Sequence, residues 1–509
     1  MKQYDIYERV FQGEVLKDDY AEIDLSAVFT NGSETVNVKG FYDGDGRYVI
    51  RFLPLKTGIW SWKVSGLFEE SGEEECVEAS LRGPVKAKGT HFVYADDTPY
   101  YPFGTTVYAL MHQPEDLIDE TLMTLRDSPF NKVRLCLFPK HYDFNAGEPD
   151  LYPFEKTEDG KWDVRRPCIP FWHHFERRLN ELKDLGIEAD LILFHPYDRW
   201  GFNSLSQEDN LLYLEYLLRR LSAYSNIWWS LANEYDLCGA FKSVEDFEEI
   251  EEYVASHDPY HHLLSVHNCF RTWDYSRKNI THVSIQSKRF ADTIELLQKY
   301  QKPVIFDECC YEGDLIHFWG SISGKEMTAR FWRVFTNGGY VTHGETFYDD
   351  EDVIWWAKGG KLKGESPSRI AFLRKIAEET GPVDPVFEPL DQLNVLPKEE
   401  LEKMLAQVPG EYRTYVKAIT SMETEDRKNF FKAEHNWRGH RGEDIYLMYY
   451  DIRTCARGMM ELPENHRYSV ELIDTWNMER KTLYEDVSGK VMIDLPGREY
   501  MAVLARRIR

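Results

Sequence analysis

Two glutamates stand directly after apolar segments, and their positions suit them to chemistry on a sugar. Glu234 follows the run at 227–233, and Glu308 follows the run at 303–307. A charge at the end of a buried strand contributes nothing to packing, so both residues are candidate catalytic groups. Cleavage of a glycosidic bond needs one protonated carboxyl to donate to the leaving oxygen and one carboxylate to attack or stabilise the anomeric carbon. Mutual repulsion and burial would separate the pKa values of the two groups.

Further polar and aromatic residues follow other segments of the same kind. The candidate substrate-binding set is Asn233, Arg134, His195, Tyr197, Asp198, Trp200, His267, Gln286, His343, Glu345 and Trp355. Several have plainer roles open to them: Arg134 could neutralise buried acids, Asp198 could shape a loop, and Trp200 could be buried. Glu345 also ends a strand and competes with Glu308 for the role of nucleophile. The histidines form no HxH or HExxH pattern, so we predict no metal site.

Between about residues 87 and 385, strand-like segments alternate with amphipathic helical segments. The eight predicted strands are 102–106, 132–138, 189–194, 227–232, 262–266, 282–285, 303–306 and 340–343. Helical patterns are clearest at 171–185, 210–223, 244–256 and 292–300. Strand–helix alternation predicts a parallel sheet, and eight repeats predict a (β/α)8 TIM barrel. Because barrel active sites lie at the carboxyl ends of the strands, the candidate residues would gather at one mouth.

The segments on either side of this barrel have the alternating pattern of short antiparallel strands. Residues 1–86 predict an N-terminal β-sandwich, with 83–89 as the linker to the barrel. Residues 386–411 form a polar connecting segment, and 412–509 predict a C-terminal β-sandwich. The expected fold class is therefore α/β, a barrel flanked by two sandwiches. A long aromatic stretch at 139–170 is expected to form a loop over the barrel mouth.

The two glutamates also carry a resemblance to a known group of enzymes. Ala232-Asn233-Glu234 at the end of strand 4, with Glu308 at the end of strand 7, resembles the clan A retaining glycoside hydrolases. The three-part layout, with the C-terminal segments 472–478 and 495–497, is similar to a bacterial group of inferred glycosidases related to the apiosidase-like barrels. This likeness covers nearly the whole chain.

The resemblance implies roles for individual residues. It makes Glu234 the acid/base and Glu308 the nucleophile of a double displacement, which retains the anomeric configuration and needs no cofactor. It also implies that Asn233 binds the sugar 2-hydroxyl and that Arg134 keeps the nucleophile ionised. Members of the clan often place a Tyr near the end of strand 6, where this sequence has Gln286. Either Gln286 takes that role, or strand 6 lies elsewhere.

Composition and charge exclude several partners. The chain has 509 residues with 61 Lys+Arg and 87 Asp+Glu, a net charge of −26. Phosphate groups and anionic membrane surfaces require basic faces, so neither nucleic acid nor a membrane is an expected partner. An aromatic content of 14% argues against disorder. The first residues lack a signal-peptide pattern and the eight cysteines form no CxxC pair, which together predict a cytoplasmic location.

The sequence thus predicts a retaining O-glycosyl hydrolase whose partner is a carbohydrate. The long loop and the flanking sandwiches indicate a closed pocket, which favours exo action on short oligosaccharides or plant glycosides. Two alternatives stay open at this point, a non-catalytic carbohydrate-binding protein on a degenerate barrel and a metal-dependent hydrolase. The sandwiches either cap the barrel or join the subunits of a homo-oligomer.

Overall fold

The structure, a computed structural model, describes residues 1–32, 34–386, 398–433 and 436–508. They divide into two compact units. The first contains Met1–Lys288, Tyr300–Met327 and Tyr340–Arg374, and the second contains Arg289–Lys299, Thr328–Gly339 and Lys375–Arg509. Within these described ranges, no helix has both the length and the apolar character needed to cross a membrane.

The N-terminal part of the first unit consists of two antiparallel sheets. One contains Tyr7–Gln12, Arg47–Phe52 and Phe41–Tyr42, in that order; the other contains Glu34–Lys39, Leu25–Asn31, Gly58–Gly66 and Glu70–Cys76. Buried and exposed residues alternate along Leu25–Asn31, so one face of this strand enters the core. There Phe29 stacks on Phe52 at 4.0 Å between ring centroids. The alternation in the sequence thus correctly predicted a sheet-on-sheet layer.

A small antiparallel sheet follows and packs against the barrel. It comprises Val85–Lys88, His91–Tyr94 and Pro99–Tyr100, so part of the expected linker at 83–89 is a strand. Phe92 and Tyr100 from this sheet join a buried cluster with Trp228 and Ile305 of the barrel. Apolar packing therefore explains why this segment does not act as a free linker.

The barrel has eight parallel strands, numbered here 1 to 8 in chain order. They are Phe103–Thr106, Lys132–Cys136, Glu188–Phe194, Ile227–Ala232, Leu264–Ser265, Val283–Gln286, Val304–Glu308 and Tyr340–His343. Hydrogen bonding runs in the order 5-4-3-2-1-8-7-6. Strands 5 and 6 meet through a single bridge between His267 and Ser284, which nearly closes the ring. The predicted strand positions are thus confirmed, with shifts of a few residues at their ends.

The main barrel helices lie between and after the strands. They are Glu115–Arg126, Ile169–Asp184, Gln207–Leu221, Val244–His257, Asp292–Tyr300, Gly324–Thr336, Trp355–Lys358 and Ser366–Thr380, with 3-10 turns at Leu110–His112, Phe202–Ser204, Tyr235–Ala240 and Phe318–Gly320. The long segment after strand 2 contains a hairpin, Phe154–Lys156 with Trp162–Pro167. Glu312–Gly313 pairs in parallel with Glu345–Thr346 beyond strands 7 and 8.

The second unit contains helices before its strands. The helices are Lys398–Leu405, Gly410–Thr420 and Thr424–Ala433. A six-stranded sheet contains Asp384–Pro385, Trp437–Arg441, Ile445–Tyr449, Met501–Arg507, Tyr468–Asp474 and Glu479–Val487, and a second sheet pairs Arg457–Glu461 with Lys490–Asp494. Strands expected from residue 412 therefore resume only at Trp437. The segment before it is rich in Glu, Lys, Arg and Ala, which favour helix over strand. Residues 387–397 of the predicted connecting segment lie outside the described residues.

Candidate active site

A bulge in strand 7 determines where Glu308 lies. Ile285 of strand 6 pairs with Phe306, but the next residue, Gln286, pairs with Glu308, so Asp307 is an extra residue on its strand. A bulge of this kind changes the direction of the side chains that follow it. It places the side chains of Asp307 and Glu308 in separate contacts, the first with Lys132 and the second with Tyr108.

Glu234 ends strand 4 in an unusual backbone conformation. Its φ of 52° and ψ of 55° lie in the left-handed region, which costs a non-glycine residue about 1–2 kcal/mol. The surrounding hydrogen bonds hold this turn: the Glu234 N–H donates to His267 Nδ1 at 3.4 Å, and Leu237 N–H donates to the Glu234 carbonyl at 2.9 Å. Such strain is typical of functional positions.

Gln286 connects the two glutamates. When its amide nitrogen faces the carboxylates, the orientation that satisfies both, that nitrogen lies 3.1 Å from Glu234 Oε1 and 3.2 Å from Glu308 Oε2. These two oxygens can therefore lie no further apart than the sum of the two distances. The side chains at the ends of strands 4, 6 and 7 thus meet at one point of the barrel mouth.

Other donors converge on the same carboxylates. The Tyr108 hydroxyl contacts Glu308 Oε1 and lies 3.0 Å from Asn233 Oδ1. The Tyr197 hydroxyl donates to Glu234 Oε2, and Asn233 Nδ2 donates to that same oxygen at 3.2 Å. Tyr108 thus supplies, from the loop after strand 1, the phenolic donor that was expected near strand 6. Both glutamates are largely buried within this network.

Burial and the neighbouring Glu234 carboxylate raise the pKa of Glu308 to about 7, against the opposing effects of Arg134, Lys140 and Tyr108. Two carboxylates this close resist ionising together because like charges repel in a poorly solvated site. In the absence of a substrate, Glu308 therefore keeps a proton up to about neutral pH. A nucleophile at this position would have to pass that proton to the neighbouring acid before it attacks.

A charged layer fills the barrel beneath the two glutamates. Lys132 Nζ lies 2.8 Å from Asp190 Oδ2 and 2.7 Å from Asp307 Oδ1, and all three side chains are buried. Burial opposes ionisation of Asp307, but Lys132 and Arg134 overcome it and hold the pKa of Asp307 well below its usual range. Arg134 Nε lies 3.5 Å from Asp190 Oδ2.

The predicted contact between Arg134 and the nucleophile is electrostatic rather than a hydrogen bond. None of the three guanidinium nitrogens of Arg134 has a hydrogen-bond partner among the described residues. The charge of Arg134 nevertheless lowers the pKa of Glu308, in the direction expected for a residue that keeps a nucleophile ionised.

Lys140 is a second cation of the site, and it lies among aromatic rings. Its Nζ is 3.4 Å from the ring centroid of Tyr108, 4.3 Å from that of Tyr197 and 5.1 Å from that of Tyr142. Burial lowers the pKa of Lys140, and the charges of Glu234 and Glu308 oppose that shift. Ring faces stabilise an ammonium group when water is excluded.

Two of the predicted histidines are uncharged, and one of them, His267, contacts Glu234. Burial lowers the pKa of His195 to about 3 and that of His267 well below its usual range. His195 Nε2 lies 3.1 Å from the Phe138 carbonyl, while His267 Nδ1 accepts from the Glu234 N–H. His267 therefore positions the acid/base candidate through its backbone.

Asp198 and Trp200 belong to the loop after strand 3, and their contacts lie within that region. The Asp198 carboxylate accepts from the N–H groups of Trp200 at 2.8 Å and Asn203 at 2.7 Å. Trp200 Nε1 donates to Glu148 Oε2 at 2.7 Å. For Asp198 these contacts favour the loop-shaping role over direct contact with a sugar.

Three predicted site residues have their contacts away from the pair of glutamates. His343 Nδ1 lies 3.1 Å from Thr105 Oγ1, and Trp355, which is 1% exposed, donates its indole N–H to that same oxygen at 2.9 Å. Glu345 accepts from the Lys363 and Gly364 N–H groups just before helix Ser366–Thr380. Trp356, rather than Trp355, packs against Tyr108 of the site.

Glu312, His343 and Glu345 offer ligand atoms within 4.8 Å of one another, as a cation site would. Yet Glu312 accepts from the N–H groups of Glu365 and Ser366. Glu345 accepts from the N–H groups of Lys363 and Gly364, so all four carboxylate oxygens already have donors. Donors at a helix N-terminus repel a cation and attract an anion. This cluster is therefore better suited to capping the N-terminus of helix Ser366–Thr380 than to holding a metal.

Tyr108, Lys140 and Cys269 are site residues that the sequence interpretation did not select. The Cys269 thiol contacts Glu234, and burial together with that carboxylate raises the pKa of the thiol to about 12. Tyr108 and Lys140 each lie two residues beyond a predicted strand, and Cys269 lies three residues beyond one. Position after a strand was thus an available signal, but many residues share it.

The barrel and its two facing carboxylates define the class of protein, because such pairs at strand ends are the machinery of glycoside hydrolases. Residues 86–380 match the model of the apiosidase-like catalytic domain. The chain belongs to this apiosidase-like family. Residues 1–66 and 434–506 match two domains of unknown function, DUF5060 and DUF5605.

Solved structures give the same picture. One is the crystal structure of a Bacteroides vulgatus protein that is inferred to be a glycoside hydrolase. It is 34% identical to this chain, with a TM-score of 0.85 over 100% of this chain and 99% of that one. A family 5 glycoside hydrolase from the same species is 14% identical, with a TM-score of 0.58 over 84% of this chain and 94% of that one, and so shows the fold alone. Among curated proteins, none matches the sequence.

Proposed function

We propose that this glycoside hydrolase retains the anomeric configuration, with Glu308 as nucleophile and Glu234 as acid/base. The observation that carries the proposal is the Gln286 amide, which lies within 3.2 Å of both carboxylates. Two oxygens that share one donor at these distances favour the about 5–5.5 Å carboxyl separation of retaining enzymes over the about 6.5–9.5 Å separation of inverting enzymes.

The first displacement forms a covalent intermediate. A Glu308 oxygen attacks the anomeric carbon while Glu234 gives its proton to the glycosidic oxygen, and the C–O bond to the leaving group breaks. Asn233, which contacts both Tyr108 and Glu234, is the residue to which this mechanism assigns the sugar 2-hydroxyl. The leaving group departs as an alcohol, and the sugar stays esterified to Glu308.

The second displacement releases the sugar. The Glu234 carboxylate takes a proton from water, whose oxygen attacks the anomeric carbon and breaks the ester to Glu308. Two inversions at one carbon give net retention. Arg134 and Lys140 stabilise Glu308 as it becomes a carboxylate again, because both charges lower its pKa.

Exo action on short oligosaccharides or plant glycosides is the mode of attack that we propose. An aromatic wall closes one side of the site: Trp356 packs against Tyr108 at 5.7 Å, Tyr142 at 4.9 Å and Trp319 at 5.1 Å between ring centroids. A wall of this kind suits a pocket that accepts a chain end, not a cleft that a polymer crosses. Release of internal fragments from a polysaccharide would contradict it.

The nucleophile can be tested by chemical rescue. Glu308→Ala should lower kcat on an activated aryl glycoside by at least about 1000-fold, since it removes covalent catalysis. Azide should then restore turnover and give the glycosyl azide of inverted configuration. The matched control is Glu345→Ala. It removes a buried glutamate that lies just beyond strand 8 and contacts the Gly364 N–H before helix Ser366–Thr380, not Glu234 or Gln286. Rescue of Glu345→Ala, and not of Glu308→Ala, would transfer the role to Glu345.

The same assay separates the alternatives. A non-catalytic binding protein would turn over no glycoside of a broad aryl glycoside panel, whereas a retaining enzyme releases first the anomer of its substrate, as NMR can show. A metal-dependent hydrolase would lose activity on dialysis against a chelator and regain it with added metal. Unchanged turnover after that treatment is the result we expect.

A further inference from the structure

Exposed apolar side chains cluster on the loops at the barrel mouth. They are Leu237 and Phe241 after strand 4, Phe270 after strand 5, Ile316 and Phe318 after strand 7, and Tyr348 after strand 8. Ile316 is 87% exposed, Phe270 85% and Phe318 68%. Because these loops follow the carboxyl ends of the strands, the six side chains surround the face that holds Glu234 and Glu308. We call this set the apolar rim.

Contacts within the first unit place one part of the rim beside the acid/base candidate. The Asp236 carboxylate accepts from the N–H groups of Cys269, Phe270 and Arg271, each at 2.7 Å. Cys269 Sγ lies 3.9 Å from the Gln286 amide that connects the two glutamates. Phe270 is therefore held in a fixed loop, one residue from a side chain of the site.

Another part of the rim, which includes Phe318, lies on the loop after strand 7. The Phe318 ring lies 4.4 Å from Lys288 Nζ, and Lys288 is two residues beyond Gln286. Next to Phe318, Trp319 packs edge-on against Tyr311 of the inner aromatic wall at 5.9 Å between centroids. The rim is thus continuous with the wall of the pocket.

We propose that the apolar rim is the leaving-group subsite, and that it selects glycosides with an apolar, aromatic aglycone. This proposal rests on the proposed function, because it assigns Glu234 to the leaving oxygen. The pocket below is polar and charged, while the rim is apolar, so the two together match a molecule with a sugar at one end and an apolar group at the other. Exposed apolar patches of this kind mark ligand sites.

The position of the rim favours the substrate itself as its occupant. Glu234 must contact the glycosidic oxygen, so whatever is attached to that oxygen emerges past Cys269 and Phe270. A second copy of the chain on this face would cover the mouth and prevent turnover. An aromatic aglycone instead buries against Phe270 and Phe318 with each reaction cycle.

The test compares substrates that share one sugar, the one hydrolysed fastest in an aryl glycoside panel. Phe270→Ala and Phe318→Ala should lower kcat/KM for the 4-methylumbelliferyl glycoside about five- to twentyfold, mainly through KM, as loss of an aromatic contact does. The glycosyl fluoride, which has no aglycone, should change less than about twofold on the same scale. Met123→Ala, which removes a side chain 58% exposed on helix Glu115–Arg126, is the matched control.

Three results would overturn the assignment. Equal losses for the fluoride and the umbelliferyl glycoside would indicate a structural role for the rim. Equal losses for a disaccharide would indicate a sugar subsite, and unchanged kinetics would indicate no subsite. Binding of 2-naphthol, followed by saturation-transfer NMR, tests the rim without turnover: the signal should fall at least about threefold in the double variant. If no glycoside reacts yet this binding is lost in the variant, the proposed function fails, and the rim is an apolar binding site but not a leaving-group subsite.

Discussion

The proton on Glu308 determines how this site should respond to pH. Burial and the Glu234 carboxylate raise the pKa of Glu308 to about 7. Below that pH Glu308 holds a proton that can pass to its neighbour when a substrate binds, and above it Glu308 has lost that proton. The site then still offers a nucleophile but has no proton for the leaving oxygen.

We therefore expect kcat/KM to fall as the pH rises through about 7, and about tenfold per further pH unit. In Glu234→Gln, the neighbouring charge is gone, so the pKa of Glu308 should fall and the limb near neutral pH should disappear. Two substrates measured from pH 4 to 10 test this: the wild-type limb should appear with a phenyl glycoside, whose leaving group needs an acid, and be absent with a 2,4-dinitrophenyl glycoside, whose leaving group needs none. Glu234→Gln should retain activity only on the dinitrophenyl glycoside.

Glu345→Gln is the control for this profile. Burial also raises the pKa of Glu345 to about 7, although the N–H groups of Lys363 and Gly364 oppose the shift. Its contacts are with a helix end, so the substitution should leave the limb in place. If the limb disappears in Glu345→Gln and persists in Glu234→Gln, the proton on Glu308 is not the one that controls activity.

At the scale of elements, the loops after strands 4 and 5 are held together by the carboxylate of one residue. Asp236, two residues after Glu234, binds three successive N–H groups of the loop that carries Phe270. A carboxylate with several N–H donors fixes the geometry of a loop more firmly than a side-chain pair does. The acid/base and the rim are therefore positioned together.

Asp236→Ala should release the amides of Cys269, Phe270 and Arg271. We expect their hydrogen exchange to accelerate and kcat/KM to fall about tenfold or more, because small displacements of catalytic groups are costly. Asp96→Ala, which removes a similar turn contact with the Thr98 N–H far from the mouth, should alter neither. Unchanged exchange at 269–271 in Asp236→Ala would show that other contacts hold the loop.

At the scale of the whole first unit, buried charges join the N-terminal sheets to the barrel helices. Arg51 of strand Arg47–Phe52 and Arg220 of helix Gln207–Leu221 both bind the Glu176 carboxylate, at 2.7 Å and 2.6 Å. Burial alone would raise the pKa of Glu176, but Arg220 and Arg51 lower it to about 2. The unit thus depends on this carboxylate staying ionised.

Glu176→Gln should lower the free energy of unfolding by about 3 kcal/mol, since two buried guanidinium groups lose the carboxylate that they share, although Arg51 keeps Glu8 and Arg220 keeps Asp43. Denaturant unfolding of the two proteins at pH 7 measures the difference. Glu22→Gln is the matched control, because Glu22 also pairs with an arginine of the same helix, Arg219, but is 63% exposed. That change should cost less than about 1 kcal/mol. Equal losses would mean that burial is not the source of the effect.

The sequence alone was sufficient to predict the barrel, and it singled out two glutamates that the fold brings together at the barrel mouth. Runs such as 227–232 are apolar at every position except Ser230, as is typical of parallel strands covered on both faces, and their number and spacing specify the barrel. Glu234 and Glu308 interrupt such runs where packing has no use for a charge. The helices between residues 410 and 433 were missed, and strands were predicted there instead, because short amphipathic helices and short strands differ little in pattern.

Which strand-end residues share one pocket was decided by the tertiary structure. His343 and Glu345 follow strand 8 as Glu308 follows strand 7, yet they contact Thr105 and a helix end. In a strand buried on both faces, apolar residues lie on either side, so the sequence does not reveal which side a polar residue faces. The bulge at Asp307 shifts that alternation by one residue, and only pairing with strand 6 specifies it. For the same reason Tyr108 and Gln286, from strands far apart in sequence, become partners of the two glutamates only when the barrel closes.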